Sequence, residues 1–371
     1  MEDTEVLATL ALSLVPGIGP QRLRLIVATF GSAQAALDAP QSRLQSLEGI
    51  GRAAASAIKA ARPEDGARVL SQLASLGARL LVSGQPEFPS QLEEIHDPPP
   101  ILYVWGDVSL LTRPCVAFVG SRDHTTYGAE AARILATAVG GAQRAVIVSG
   151  MARGIDAIAH SAALDVGGGS IGVLGNGFGV IYPAANRALY ERVAAAGCLL
   201  TELSPGERPR VSTFPRRNRI IAGLAGVTVV VEAAVGSGAL ITADCALDQG
   251  RSVLAVPGPI TSPTSTGCNK LIQQGAKPAL CVADVLEELG LSVAQGAAED
   301  GRAPRPERRL SPADLNPLQR TLWEAIAAQS AHVDALVSGS GQDVGTVLTA
   351  LTELELRGLV VQRPGMIFAL G

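Results

Sequence analysis

The chain has 371 residues, 47% of them hydrophobic and 17% charged, with a formal net charge of −4. It is longer than one typical domain and apolar enough for sizeable cores, so two or three domains that fold without covalent staples are expected. The net charge gives no hint of a polyanionic partner. The five cysteines show neither a CxxC pair nor a zinc-like histidine spacing, and the opening MEDTEV is acidic where a secretory signal would be basic.

With no apolar run near the ~20 residues of a membrane helix, a reduced, cytoplasmic chain with no membrane span, metal or cofactor is expected. Residues 1–80 read as short helices broken by glycine turns, PGIGP and EGIG, in a weak internal duplication. This is the pattern of a helical domain of the SAM or helix-hairpin-helix kind. Such turns present backbone amides to a phosphate, but seven acidic residues against eight basic ones favour plain turns in a small bundle.

From 81 to 295 short apolar runs (CVAFVG, AVIVSG, SIGVLG, CLLTEL, VTVVVEA, SVLAVPG) alternate with amphipathic segments. Buried strands separated by helices make a parallel, doubly wound α/β sheet, whose ligands bind at the carboxyl ends of the strands. Residues 296–310 read as a linker. Residues 311–371 give three helices and a strand-turn-strand, the winged-helix pattern. That module has six acids to three bases, and a helix that reads DNA should not be acidic; a protein-contact or regulatory role is expected for it.

Four strand-to-helix loops carry candidate chemistry. In VGSRDHTTYG, Gly120 permits close backbone approach, Ser121 can donate and Arg122 offers a fixed fork. The spacing is neither GxGxxG nor a P-loop. In SGMARGIDAIAH, Asp156 and His160 lie four apart on one helical face and read as a local pair that fixes the helix. LGNGFGVIYP suits a tight turn under a ligand. In VEAAVGSGALITA, Gly236, Ser237 and Gly238 precede a helix and form an anion-binding nest.

The charge is concentrated in one place. Residues 81–300 hold 15 basic and 20 acidic residues, yet five of the basic ones fall between Arg208 and Arg219 with no acid among them. In FPRRNRIIAGLAG, arginine forks can hold phosphate while Phe214 offers a ring for a base. Together these suit single-stranded nucleic acid. Arg216 and Arg219 share a helical face while Arg217 and Asn218 project elsewhere, so one of the arginines is expected to brace the pocket against Glu202 or Glu232.

At these loops the sequence resembles the DprA/Smf family of DNA-processing proteins. The likeness runs in order through VGSR…YG, SGMARGIDAIAH, GVLGNGFGVIYP, LLTELSPGERP, FPRRNRIIAGLAG, VVVEAAVGSGALITADCALDQGR, VLAVPG and GCNKLIQQGA. It departs from the family where SGALITA stands for SGSLITA and GNG for GSG. The resemblance implies an extended Rossmann-like sheet flanked by the helical and winged-helix domains. It also implies a homodimer without enzymatic activity that binds single-stranded DNA in natural transformation, protects it and loads the RecA recombinase, with single-strand-binding protein as a further partner. The DNA-binding residues it implies are Gly120, Ser121, Arg122, Phe214, Arg217, Asn218, Arg219, Ser237, Gly238, Asn269 and Lys270. The alternative is a nucleotide or nucleoside-phosphate hydrolase on a related scaffold, with Arg122 and the Gly236–Gly238 nest on phosphate and Glu232 as acid or base.

Overall fold

The computed structural model describes residues 2–141, 144–291, 315–328, 331–356, 359–363 and 366–370; the linker expected at 296–310 lies outside them. The chain divides into two compact units, Met1–Gly301 and Arg302–Gly371. Among the described residues no helix is long and apolar enough to cross a membrane.

The first unit begins with six helices: α1 (Glu2–Ser13), α2 (Pro20–Phe30), α3 (Ala33–Asp38), α4 (Gln41–Gln45), α5 (Arg52–Ala60) and α6 (Pro63–Ser75). The two glycine motifs make matching turns. Gly17 and Gly49 take positive φ of 84° and 76°, while Gly19 and Gly51 are the N-caps of α2 and α5. Leu12, Leu23, Ile26, Leu44 and Ile58 form a core among these helices. Leu10 of α1 and Leu73 of α6 instead join Tyr103 and Leu199 in a cluster against the sheet.

That sheet has nine strands: β1 (Arg79–Val82), β2 (Ile101–Gly106), β3 (Cys115–Val119), β4 (Val146–Ser149), β5 (Ser170–Val173), β6 (Cys198–Thr201), β7 (Val227–Val230), β8 (Ser252–Ala255) and β9 (Lys277–Pro278). Their order is β1-β2-β6-β5-β4-β3-β7-β8-β9. Strands β3 to β9 are parallel, as alternation with helices requires, while β1 and β2 add antiparallel to the edge at β6. The alternation of side chains sorts β3 between two cores: Val116 and Phe118 pack on one face, Cys115, Ala117 and Val119 on the other. Fully burying one such large side chain stabilises by ~1.5–3 kcal/mol.

Among the described residues eight helices cover or border the sheet: α7 (Ser90–Glu93), α8 (Thr126–Gly140), α9 (Ile155–Asp165), α10 (Arg187–Ala196), α11 (Thr213–Leu224), α12 (Gly238–Asp248), α13 (Thr266–Gln273) and α14 (Val282–Glu288). From β3 the chain steps outward through β4, β5 and β6, then returns to β7 on the other side of β3. The switch point between β3 and β7 opens a crevice at the carboxyl ends, bordered by the loops that enter α8, α9, α11 and α12.

The second unit holds α15 (Pro317–Ala328), β10 (Ala331–His332), α16 (Val333–Ser340), α17 (Val344–Leu356), β11 (Val360–Arg363) and β12 (Ile367–Leu370), with strand order β10-β12-β11. Leu322, Leu336, Leu351, Leu354 and Phe368 fill its core. This is a winged helix. The first turn of α17 is closed by Asp343, whose carboxylate accepts from Thr346 N at 3.1 Å and Thr346 Oγ1 at 2.5 Å.

Candidate functional site

The β3–α8 loop is held from beneath by Glu232, buried in the segment after β7. Its carboxylate accepts from Thr125 N at 3.0 Å and Thr125 Oγ1 at 3.1 Å, and its carbonyl accepts from Ser121 N at 2.7 Å. Gly128 leaves the room: a Cβ there would lie 1.8 Å from the carboxylate. These bonds turn Arg122 outward. It is exposed, and its guanidinium stands 5.7 Å from the centroid of the Phe214 ring, within cation–π reach.

The β4–α9 loop, Gly150–Gly154, is equally fixed. Asp156 in the first turn of α9 accepts from Gly150 N at 3.1 Å and Ala152 N at 3.4 Å. Asn186 donates to the carbonyls of Met151 and Ala152 at 2.9 and 3.0 Å. Between them Met151 is held at φ 56°, a conformation that non-glycine residues rarely occupy. Asp156 and His160 do not form the local pair expected of them. His160 Nδ1 bonds Ser170 Oγ at 2.7 Å, and burial lowers its pKa to about 3, so it is a neutral core residue. Burial pushes the Asp156 carboxyl up, with Arg217 and the loop amides pulling against it.

The first turn of α11 supplies the wall. Thr213 Oγ1 donates to Gly175 O at 2.6 Å, which seats Phe214 against Gly175 in the loop after β5. From that loop Tyr182, 45% exposed, brings its ring to 5.5 Å from Phe214 with the planes 36° apart. Arg217 goes underneath. It is buried and donates to Gly150 O at 2.7 Å and to Val173 O, tying the ends of β4 and β5 together. Burial lowers its pKa to about 10, so it remains charged at neutral pH. Asn218 accepts from Arg217 Nε at 3.3 Å and donates to Gly238 O at 3.3 Å, which brings α12 to the site. Ser237 caps α12, its hydroxyl accepting from Ala239 N at 3.3 Å.

The result is a cleft of about 510 Å³, continuous through Arg122, Tyr182, Phe214 and Arg217 with a recess of about 350 Å³. Of the residues named from sequence, Gly120, Ser121, Arg122 and Phe214 line it, and so do Arg217, Asn218, Ser237 and Gly238. The one lining carboxylate, Asp156, is buried beside Arg217. An exposed cation, two adjacent rings, a helix start and little negative charge can hold a phosphate beside a stacked base.

Three of the named residues do not line this cleft. Arg219 bonds Glu202 and stands 3.3 Å from Asp97, and Arg216 pairs with Glu202 at 2.9 Å. The two arginines that share a helical face therefore brace the turn against Glu202, while Arg217 braces the strand ends beneath it. Asn269 latches the loop after β8, donating to Gly258 O at 3.0 Å and accepting from Gly258 N at 3.2 Å, and Lys270 is exposed on α13. Glu232 does not line the cleft either: it is buried and its carboxylate accepts from Thr125. Sequence reasoning did not select Tyr182 or Asn186. The tyrosine in GVIYP, at the end of a ligand loop in a chain with only four tyrosines, was the available signal.

The family model described as DNA recombination-mediator protein A matches residues 79–290, and that of the DprA winged helix domain matches 306–366. Protein Smf of Synechocystis sp. is 33% identical over 99% of both chains. The X-ray structure of DNA processing protein A from Streptococcus pneumoniae aligns with TM-score 0.67 at 33% identity, covering 76% of this chain and 97% of that one. DNA processing protein A of Helicobacter pylori, studied for its single-stranded DNA binding mode, aligns with TM-score 0.52 at 29% identity, covering 57% of this chain and 95% of that one.

Proposed function

The chain belongs to the DprA/Smf family of DNA-processing proteins, and we propose that it binds single-stranded DNA in the cleft at the carboxyl ends of β3, β4, β5 and β7. On this reading it has no catalytic activity of its own, protects an incoming strand in natural transformation and loads RecA onto it, acting as a homodimer. The observation that carries the reading is Arg122 poised over Phe214 beside Tyr182, with no exposed carboxylate lining the cleft.

Each part has a distinct task. Arg122 neutralises a phosphate at the start of the Gly236–Gly238 nest, Phe214 and Tyr182 stack with a base, and Arg217 keeps the strand ends that carry these groups in register. Backbone and ring contacts of this kind are tolerant of sequence. A salt series tests it. With two to four phosphates engaged, log affinity for a single strand should fall against log salt with a slope of about −1.5 to −3, and Arg122→Ala should make that slope shallower by ~0.7 for every sequence. A salt-independent affinity, or a slope unchanged in the variant, would remove the phosphate grip from Arg122. Release of free base from mononucleotides would reverse the non-enzymatic reading.

A further inference from the structure

The cleft described above lies along one side of the first turn of α11; on another side a second cleft, of about 460 Å³, opens toward the N-terminal helices. One wall is the Pro16–Pro20 turn that leads into α2. The other is the loop after β6 with the start of α11, which brings Arg210 and Arg216.

Three independent features meet there. The eleven-residue α2 follows its N-cap Gly19, has Pro20 as its first residue and no side chain capping it, so the positive end of its dipole faces the wall that Gly19 and Pro20 form. Arg210 is exposed, and Arg216 is 40% exposed although it holds Glu202. Two carboxylates also line the cleft: Glu202, whose side chain is 5% exposed and already takes both Arg216 and Arg219, and the half-buried Glu207. At the floor, Tyr103 of β2 is fully buried and its hydroxyl has no hydrogen-bond partner. Ser13 and Ser204 stand beside it without reaching hydrogen-bond geometry; burial, with a smaller push from the Glu207 carboxylate, raises the phenol above its ordinary pKa, so it is a neutral donor. A buried polar group left unpaired in the wall of a polar cleft is an expected contact for a bound molecule.

We propose that this cleft is a second subsite for the same strand, with a phosphate seated between the first turn of α2 and the Arg210 and Arg216 guanidiniums, and Tyr103 donating to a sugar or phosphate oxygen. The proposal rests on the single-strand reading and extends it. A helix with its side chains is ~10–12 Å across, a distance that a few nucleotides of extended strand cover. Phe214 and Arg216 therefore belong to one path around the N-terminal turn of α11, and the helical domain becomes part of the DNA-binding surface.

The test uses the full chain with oligothymidylates of two lengths, one short enough for a single cleft (about 5 nucleotides) and one long enough for both (about 20). Arg210→Ala and Tyr103→Phe should leave the affinity for the short strand unchanged and weaken the long strand about two- to tenfold. For Arg210→Ala the salt slope with the long strand should also become shallower by ~0.7. Tyr103→Phe removes only the unpaired hydroxyl, so its melting temperature should hold at or above wild type. Unchanged affinity for the long strand in both variants would overturn the proposal, and so would equal losses for short and long strands. Phe214→Ala separates the two readings: if it leaves short-strand affinity intact, the first cleft fails as the site regardless of how the second-cleft variants behave.

Discussion

The junctions β3–α8 and β7–α12 flank the same switch point and start from the same topology, a strand ending where a helix begins. At β3–α8 an internal carboxylate, Glu232, occupies the bonds that an outside anion would use, through Thr125. At β7–α12 the helix begins with Ser237 and Gly238, which line the cleft and meet no carboxylate there. On the proposed reading, an anion site in a doubly wound fold depends on which helix start is left without an internal carboxylate, and topology offers more starts than are used. A closed junction acts as structure, holding the loop that carries Arg122. An open one is available to a ligand.

Substitutions can break or sharpen this contrast. The largest effect is expected from Arg217→Ala, at the floor beneath the open side. It leaves two strand-end carbonyls without their donor and Asp156 without a compensating charge, and should cost ~3–5 kcal/mol of stability; a denaturant melt measures it. A stable variant with a simple binding defect would make Arg217 a DNA ligand rather than a brace. Gly128→Ala, at the closed junction, forces a methyl into the Glu232 carboxylate and should lower stability by ~1–3 kcal/mol. Phe214→Ala, at the open site, should weaken single-strand affinity by ~1–3 kcal/mol with the melting temperature nearly unchanged, as read by fluorescence titration and thermal melts in parallel. Glu232→Gln keeps the shape and removes the charge. It should cost only about 1 kcal/mol of stability and leave affinity at wild type; a tenfold change in affinity would mean that the closed junction is also part of the binding surface.

The parallel sheet was legible because its strands are uninterrupted apolar runs that no exposed strand would tolerate, and its ligand face followed from topology. The lining of the candidate cleft was legible where a motif falls in a strand-to-helix loop, as with Ser121, Arg122 and Ser237. The antiparallel edge formed by β1 and β2 was not. RLLV is four residues long, and the pairing of ILYVWG with a strand about a hundred residues later leaves no local signal. Within FPRRNR the helical period separated the arginines into two faces, but only packing could show that Glu202 holds Arg216 and Arg219 while Arg217 turns to backbone carbonyls. Asn269 and Lys270 stand in GCNK, which lies on α13, and a motif match says nothing about whether that helix reaches the cleft.

Gly150 has a consequence of a different kind. A Cβ at this position would lie 2.5 Å from the Arg217 guanidinium, although the two residues are 67 positions apart. Neither can change freely while the other stays. In a library that randomises both, side chains at 150 should be recovered only with a shorter residue at 217, so the pair should drift as a unit and report the contact through inheritance alone.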